Sequence, residues 1–120
     1  MNVADSIHNR RPTFMNTQLF FNPVIESQKN YWHRDPHYHL TIAEQSLALK
    51  GPDVVHFRIP LFTEFGIELV PGNHKCWDNS EEVDVRLESN GHKNYEELSS
   101  GVIVKLETGD LMVFSANMMH

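Results

Sequence analysis

The segment Trp32-His33-Arg34-Asp35-Pro36-His37-Tyr38-His39 concentrates three histidines around one aspartate. In an extended chain alternate side chains share a face, so His33 and Asp35 point the same way. Pro36 favours that conformation, because the residue before a proline is pushed toward the β or polyproline region. An imidazole and a carboxylate so placed can supply two neighbouring ligands to one cation, and a third must come from a distant strand. The candidate is His120. Two histidines and one carboxylate make up the facial triad that suits iron(II). Such a set leaves the cation with net positive charge and three open positions, two for a chelating oxo-acid and one for dioxygen. An exposed, hydrogen-bonded His-x-Asp pair fits the same spacing, and chain ends are often poorly ordered. Spacing alone leaves both readings open. A zinc site from His33, Asp35, His37 and His39 is a further rival, since regular alternation puts all four on one face. Four ligands on one extended segment, however, close around a tetrahedral ion only through a tight bend.

The elements that position these residues read as mostly strand. Residues 13–22 are strand-like and closed by Pro23, and residues 26–30 form a polar loop. Thr41-Ile42-Ala43-Glu44 has the pattern of a capping box, predicting a short helix to about Leu49 that stops at Gly51-Pro52. Residues 53–61 and 66–70 are apolar, β-branched and bounded by turn residues, which predicts two strands. Pro71-Gly72-Asn73 is a turn signal. Residues 75–90 read as acidic and irregular, with Glu81-Glu82-Val83-Asp84 solvated, and residues 95–98 as a single helical turn. The tail predicts a hairpin: residues 101–106, a Thr108-Gly109-Asp110 turn with Gly109 at positive φ, then residues 111–115. About five strands, little helix and frequent turns predict an all-β sandwich or barrel.

Bulk properties narrow the class. A chain of 120 residues has room for one core, and 40% apolar with 22% charged residues is ordinary for a globular domain. The net charge of −6, with no basic run, argues against a nucleic-acid groove or an anionic membrane surface. The lone Cys76 forms no internal disulfide, which fits a reducing compartment. Residues 1–12 are polar, read as flexible and lack the apolar core of a signal peptide. No apolar run approaches the roughly 18 residues of a membrane span, so the expected address is cytoplasmic.

Three pieces, in order, resemble the phytanoyl-CoA dioxygenase family. They are Trp-His-Arg-Asp at 32–35, Gly-Ile-Glu-Leu-Val-Pro-Gly-Asn-His-Lys at 66–75, and Gly-Asp-Leu-Met-Val-Phe-Ser-Ala-Asn-Met-Met-His at 109–120. The middle piece is similar to the family's Pro-Gly-Ser-His-Lys turn, and the last to its Gly-Asp-Leu strand leading into the distal histidine. The resemblance implies a double-stranded β-helix, a cupin-like jelly roll with iron(II) at one mouth held by His33, Asp35 and His120. It implies 2-oxoglutarate as co-substrate, dioxygen as oxidant, and a small organic molecule as the substrate to be hydroxylated. Relatives that halogenate replace the carboxylate with a small residue, so Asp35 favours hydroxylation. In the family further strand residues follow the distal histidine, including a basic residue that pairs with the far carboxylate of 2-oxoglutarate. The sequence given stops at His120, so the expectation is a single partial domain over 1–120, truncated at its C-terminal strand.

Other candidates follow from position. Alternation over Val54-Val55-His56-Phe57-Arg58-Ile59-Pro60 puts His56 and Arg58 on one face. If that face lines the cavity, Arg58 can hold an anionic substrate or an oxo-acid carboxylate; if not, it faces solvent. Gln18, with Asn16, is placed to touch the oxo-acid from the first strand. Trp32, His37 and His39 are the candidate substrate contacts, and His74 belongs to the Pro-Gly turn as a structural or pocket-lining residue. Two rivals remain. One is a β-barrel that binds metal or a small molecule without turnover. The other is a cupin-type iron oxygenase that does not use 2-oxoglutarate.

Overall fold

Strand β1 (Val55–Arg58) lies antiparallel to β4 (Met112–Ser115), with His56 opposite Phe114 and Phe57 opposite Val113. Strand β2 (Glu64–Leu69) lies antiparallel to β3 (Val102–Leu106), and its register shifts between Glu64 and Ile67. The computed structural model describes residues 12–20, 29–51 and 54–120. Among them the architecture is β-rich, two two-stranded antiparallel sheets with two short helices, and the sheets do not close on one another. No described helix is long and apolar enough to cross a membrane.

Helix α1 (Ile42–Ala48) starts as the sequence predicts. The Thr41 hydroxyl accepts from the Glu44 amide, and the Glu44 carboxylate accepts from the Thr41 amide at 2.8 Å. Helix α2 (Ser80–Arg86) falls where an irregular acidic loop was expected. Asn79 Oδ1 accepts from the Glu82 amide at 3.0 Å, and Glu82 answers on the Asn79 amide at 3.1 Å, which completes a second capping box. The acidic run is therefore only partly solvated: Glu82, Val85 and Arg86 are buried. Residues 95–98 form no helix, and a turn closes there through Glu96 N–H on the Lys93 carbonyl. Residues 12–20 carry no regular structure and residues 13–20 are exposed, so the first expected strand is not formed there; positions 21 and 22 lie outside the described residues. Residues 26–28 of the expected loop and residues 1–11 of the stretch read as flexible lie outside them as well.

The tail corrects the expected hairpin. Gly109 does take positive φ, at 101°, and the Asp110 amide bonds back to the Glu107 carbonyl at 2.9 Å. Yet β3 and β4 pair with different partners and belong to different sheets. Strands that pair directly across a reversal usually have a two-residue turn. The five residues 107–111 give enough chain, at about 3.3 Å each, to step from one sheet to the other. The β1–β2 connection at 59–63 makes the same step, and Thr108 Oγ1 reaches the Leu61 carbonyl at 3.3 Å, so the two crossings lie side by side.

The core is a cluster of Trp32, Val70, Val85, Leu98 and Met119. Two of its members directly precede candidate ligands, Trp32 before His33 and Met119 before His120. Burying their side chains stabilises the fold by about 1.5–3 kcal/mol each, and it fixes the backbone from which the ligands project.

Candidate metal centre

Two chain segments meet at the site. His33 N–H donates to the His120 carbonyl at 2.9 Å, and His120 N–H returns to the His33 carbonyl at 3.0 Å. The Asp35 amide reaches the Ala116 carbonyl at 3.1 Å, and the Ala116 amide bonds to Val54 at 2.8 Å, which ties this pairing to the β1–β4 sheet. Val70 N–H on the Met119 carbonyl and Met119 N–H on Asn73 Oδ1, at 2.9 and 3.0 Å, lock the distal segment to the Pro71-Gly72 turn. Gly72 has φ of 83°, a conformation that glycine adopts without strain.

Backbone bonding of this kind brings His33, Asp35 and His120 together. One ligand atom from each lies within 4.8 Å of the others, and among the described residues this is the group of histidine, cysteine and carboxylate side chains so arranged. Asp35 Oδ1 sits 3.6 Å from His33 Nε2 and 3.7 Å from His120 Nε2. His33 Nδ1 lies 3.1 Å from the Tyr31 carbonyl, and His120 Nδ1 lies 2.8 Å from the Met118 carbonyl. A carbonyl only accepts, so each Nδ1 carries the hydrogen and each Nε2 turns its lone pair toward the centre.

Protonation states agree with ligation. Burial raises the Asp35 pKa, but the hydrogen bond from His56 and the charges of His120, His56 and His33 outweigh it, and the carboxyl titrates below its ordinary range. At His120, burial comes first and holds the imidazole below the usual histidine range, against the opposing Met118 hydrogen bond. Cations compete with protons for such groups, so an ionised aspartate and a neutral histidine are the forms a metal requires. The donor set, two imidazoles and one carboxylate, fits iron(II).

The chain matches, over residues 1–120, the family described as Phytanoyl-CoA dioxygenase (PhyH). It belongs to the phytanoyl-CoA dioxygenase family. No curated protein and no solved structure matches it at a significant level. The phytanoyl-CoA dioxygenase family lies within the iron(II)- and 2-oxoglutarate-dependent dioxygenase superfamily, and membership supports a dioxygenase-type enzyme. Iron(II) and 2-oxoglutarate are the usual requirements of the family.

The remaining candidates separate in space. The chain does not stay extended past Asp35. Asp35–Tyr38 is a 3-10 turn with the His37 amide on the Arg34 carbonyl at 2.8 Å, because Pro36 fits the first positions of a helical turn. His37 and His39 therefore leave the face of His33 and Asp35 and stand exposed, which removes the four-ligand zinc arrangement. Trp32 is 5% exposed, and its indole N–H donates to the Glu96 carbonyl at 2.8 Å; it is a core residue rather than a wall open to substrate. Gln18 and Asn16 sit in the exposed irregular segment 12–20. Arg58 shares a strand face with His56, as alternation predicts, but its Nε donates to Glu64 at 2.8 Å. His74 is half-buried, with Nδ1 buried and unpartnered. Tyr31 and Tyr38 flank the His33 ring at 5.2 and 5.4 Å between centroids, with their hydroxyls 2.5 Å apart. Burial, and then the hydrogen bond with Tyr31, push the Tyr38 phenol well above its usual pKa.

One residue of the site carried no assigned role in the sequence. His56 Nε2 lies 2.5 Å from Asp35 Oδ2. The signal that bears on it is the alternation that put His56 on the polar face of β1, but nothing in the sequence pairs positions 35 and 56.

Proposed function

We propose that this chain is an iron(II)- and 2-oxoglutarate-dependent dioxygenase that hydroxylates a small organic substrate, with His33, Asp35 and His120 as the iron ligands. The observation that carries the reading is the convergence of the three ligand atoms within 4.8 Å, both Nε2 lone pairs freed by Nδ1–H bonds to carbonyls. The fold that suits it is a double-stranded β-helix, supported by the two chain crossings that step between the antiparallel sheets. Bound iron(II), with 2-oxoglutarate and dioxygen, supplies the oxidising power for C–H hydroxylation, the oxo-acid leaving as succinate and carbon dioxide.

The chain's own residues hold and bias that site. Two neutral imidazoles and one carboxylate leave net charge of +1 on a divalent cation, which attracts an oxo-acid carboxylate. Asp35 would supply the carboxylate that halogenating relatives lack, which favours hydroxylation. Tyr31, Tyr38 and Phe114 surround the ligands with aromatic surface: Phe114 stands edge-on to His120 at 5.1 Å. Arg58 is the candidate partner for a carboxylate of the oxo-acid or substrate, provided that it exchanges Glu64 for it. Its engagement by Glu64 is also what favours a second reading, an iron site that works without 2-oxoglutarate or binds without turnover.

The test is anaerobic addition of iron(II) and 2-oxoglutarate, watching for the weak visible charge-transfer band of the chelate. The band is expected in the wild-type chain and absent from His33→Ala. Replacement of Arg58 by Met is expected to weaken the apparent 2-oxoglutarate affinity. Iron binding without a band would shift the reading to the oxo-acid-independent site, and no iron binding would end it.

A further inference from the structure

The two oxygens of Asp35 have different surroundings. Oδ1 faces both ligand imidazoles, at 3.6 and 3.7 Å from their Nε2 atoms. Oδ2 meets a different partner, 2.5 Å from His56 Nε2. An ionised carboxylate only accepts, so His56 donates its Nε2–H. We propose that His56 is a positioning residue that holds Asp35 to one-oxygen coordination and so sets how many positions remain open on the metal. This rests on the reading of His33, Asp35 and His120 as the ligands.

A carboxylate can swing about its Cβ–Cγ bond and chelate a cation through both oxygens. That geometry takes a fourth position on an octahedral ion and leaves two, one too few for a chelating oxo-acid and dioxygen together. Donation from His56 occupies Oδ2 and opposes the swing, leaving Oδ1 alone turned toward His33 and His120. Hydrogen-bond partners behind the ligands commonly orient them in this way, and their loss costs metal affinity on the order of 10–100-fold.

The fold fixes His56 for this work. It lies on β1 directly opposite Phe114 of β4, and the two rings are 5.1 Å apart. Phe114 in turn stands against His120. The β1–β4 sheet therefore carries both the donor to Asp35 and an aromatic support for the distal ligand. His56 is not itself in the converging group; its nitrogen sits on Oδ2, while Oδ1 is the oxygen nearest the other two histidines. With side chains only partly buried, 39% exposed for His56 and 33% for Asp35, its effect belongs at the lower end of that range, about 10-fold.

Cobalt(II), a redox-stable stand-in for iron(II), tests this by direct titration of the whole chain, reading dissociation constant and visible ligand-field spectrum. His56→Leu and His56→Phe both remove the donor, and the second keeps a ring against Phe114. Both are expected to weaken cobalt binding about 10-fold and to change the band intensity, which reports coordination number. His56→Gln, whose amide can still donate, is expected to restore both. Wild-type affinity and spectrum in the donor-less variants would overturn the role of His56 while leaving the metal site standing, and so would a glutamine variant as defective as leucine. Cobalt binding indifferent to His33→Ala would instead remove the ligand assignment, and the proposal with it.

Discussion

Both histidine ligands use the same local device. His33 and His120 each hold Nδ1 on the carbonyl two residues before them, Tyr31 and Met118, and each places its neighbour in the core. The ring is thereby fixed in tautomer and direction before any cation arrives, so less ordering has to accompany binding. A preformed site of this kind should stabilise the fold by linkage, because a cation that binds only the native state adds about 2.7 kcal/mol at 100 times its dissociation constant. Thermal melts with and without saturating manganese(II) check this. We expect an upward shift in the wild type that disappears in Asp35→Asn and His120→Ala. An equal shift in all three proteins would mean that the cation binds elsewhere.

At the scale of elements, the ligands depend on a buried charge network centred on Asp78. Arg34, between the two ligands His33 and Asp35, is 1% exposed and bonds through Nε and its terminal nitrogens to Asp78, to the Asn73 and Cys76 carbonyls, and to the Asn117 carbonyl near His120. Arg86 of α2 takes the other Asp78 oxygen and reaches Gln45 of α1 at 2.9 Å. Removing Asp78 leaves two guanidinium groups buried without their anion. Asp78→Ala should therefore lower stability by about 3–5 kcal/mol. Lys105→Ala, which breaks the exposed pair with Glu107, should cost about 1 kcal/mol or less. Denaturant melts compare the two, and similar losses would contradict the network. Legibility in the sequence divides along the same line. The positions of β1 to β4, the Thr41 capping box and the polar face of β1 depend on neighbours in sequence, and the pattern carried them, whereas the strand expected from residue 13 onward is not formed over the described residues. Arg34 carried no role in the sequence because its partners lie far along the chain. Helix α2 was hidden by its acidic face, although Asn79 and Glu82 have the same spacing as Thr41 and Glu44. The turn at Gly109 was legible, but the choice of strand partner was not, since turn residues specify a reversal and not a pairing.

For the whole molecule, the carboxylates with displaced titration all pull in one direction. Glu44, Glu81, Asp84 and Glu96 are lowered, respectively by hydrogen bonds from Thr41, from Ser99, chiefly from Ser89, and chiefly from His92, and Asp35 is lowered as described above. A folded pKa below the unfolded one means that the unfolded chain binds more protons between the two values, so stability rises with pH across that window. These contributions are complete above the ordinary carboxylate range and are lost as pH falls through the folded values. The lowered His120 has the same sign one step higher: its contribution is complete above the ordinary histidine range and declines below it. Melting temperature in the absence of metal should therefore hold steady above neutrality, decline gently through the histidine range, and fall more steeply below the carboxylate range. Exposed apolar strand residues such as Phe57, Phe65 and Ile103 favour association near the sequence pI of about 5.7, where the net charge no longer opposes it, so dilute protein is needed. Glu81→Gln isolates one contributor, because Glu81 ties α2 to the backbone and hydroxyl of Ser99. Its melting curve should lie below the wild type at neutral pH and converge with it in acid. Curves that stay parallel to the lowest pH would show that the Glu81–Ser99 contact has no part in the acid limb.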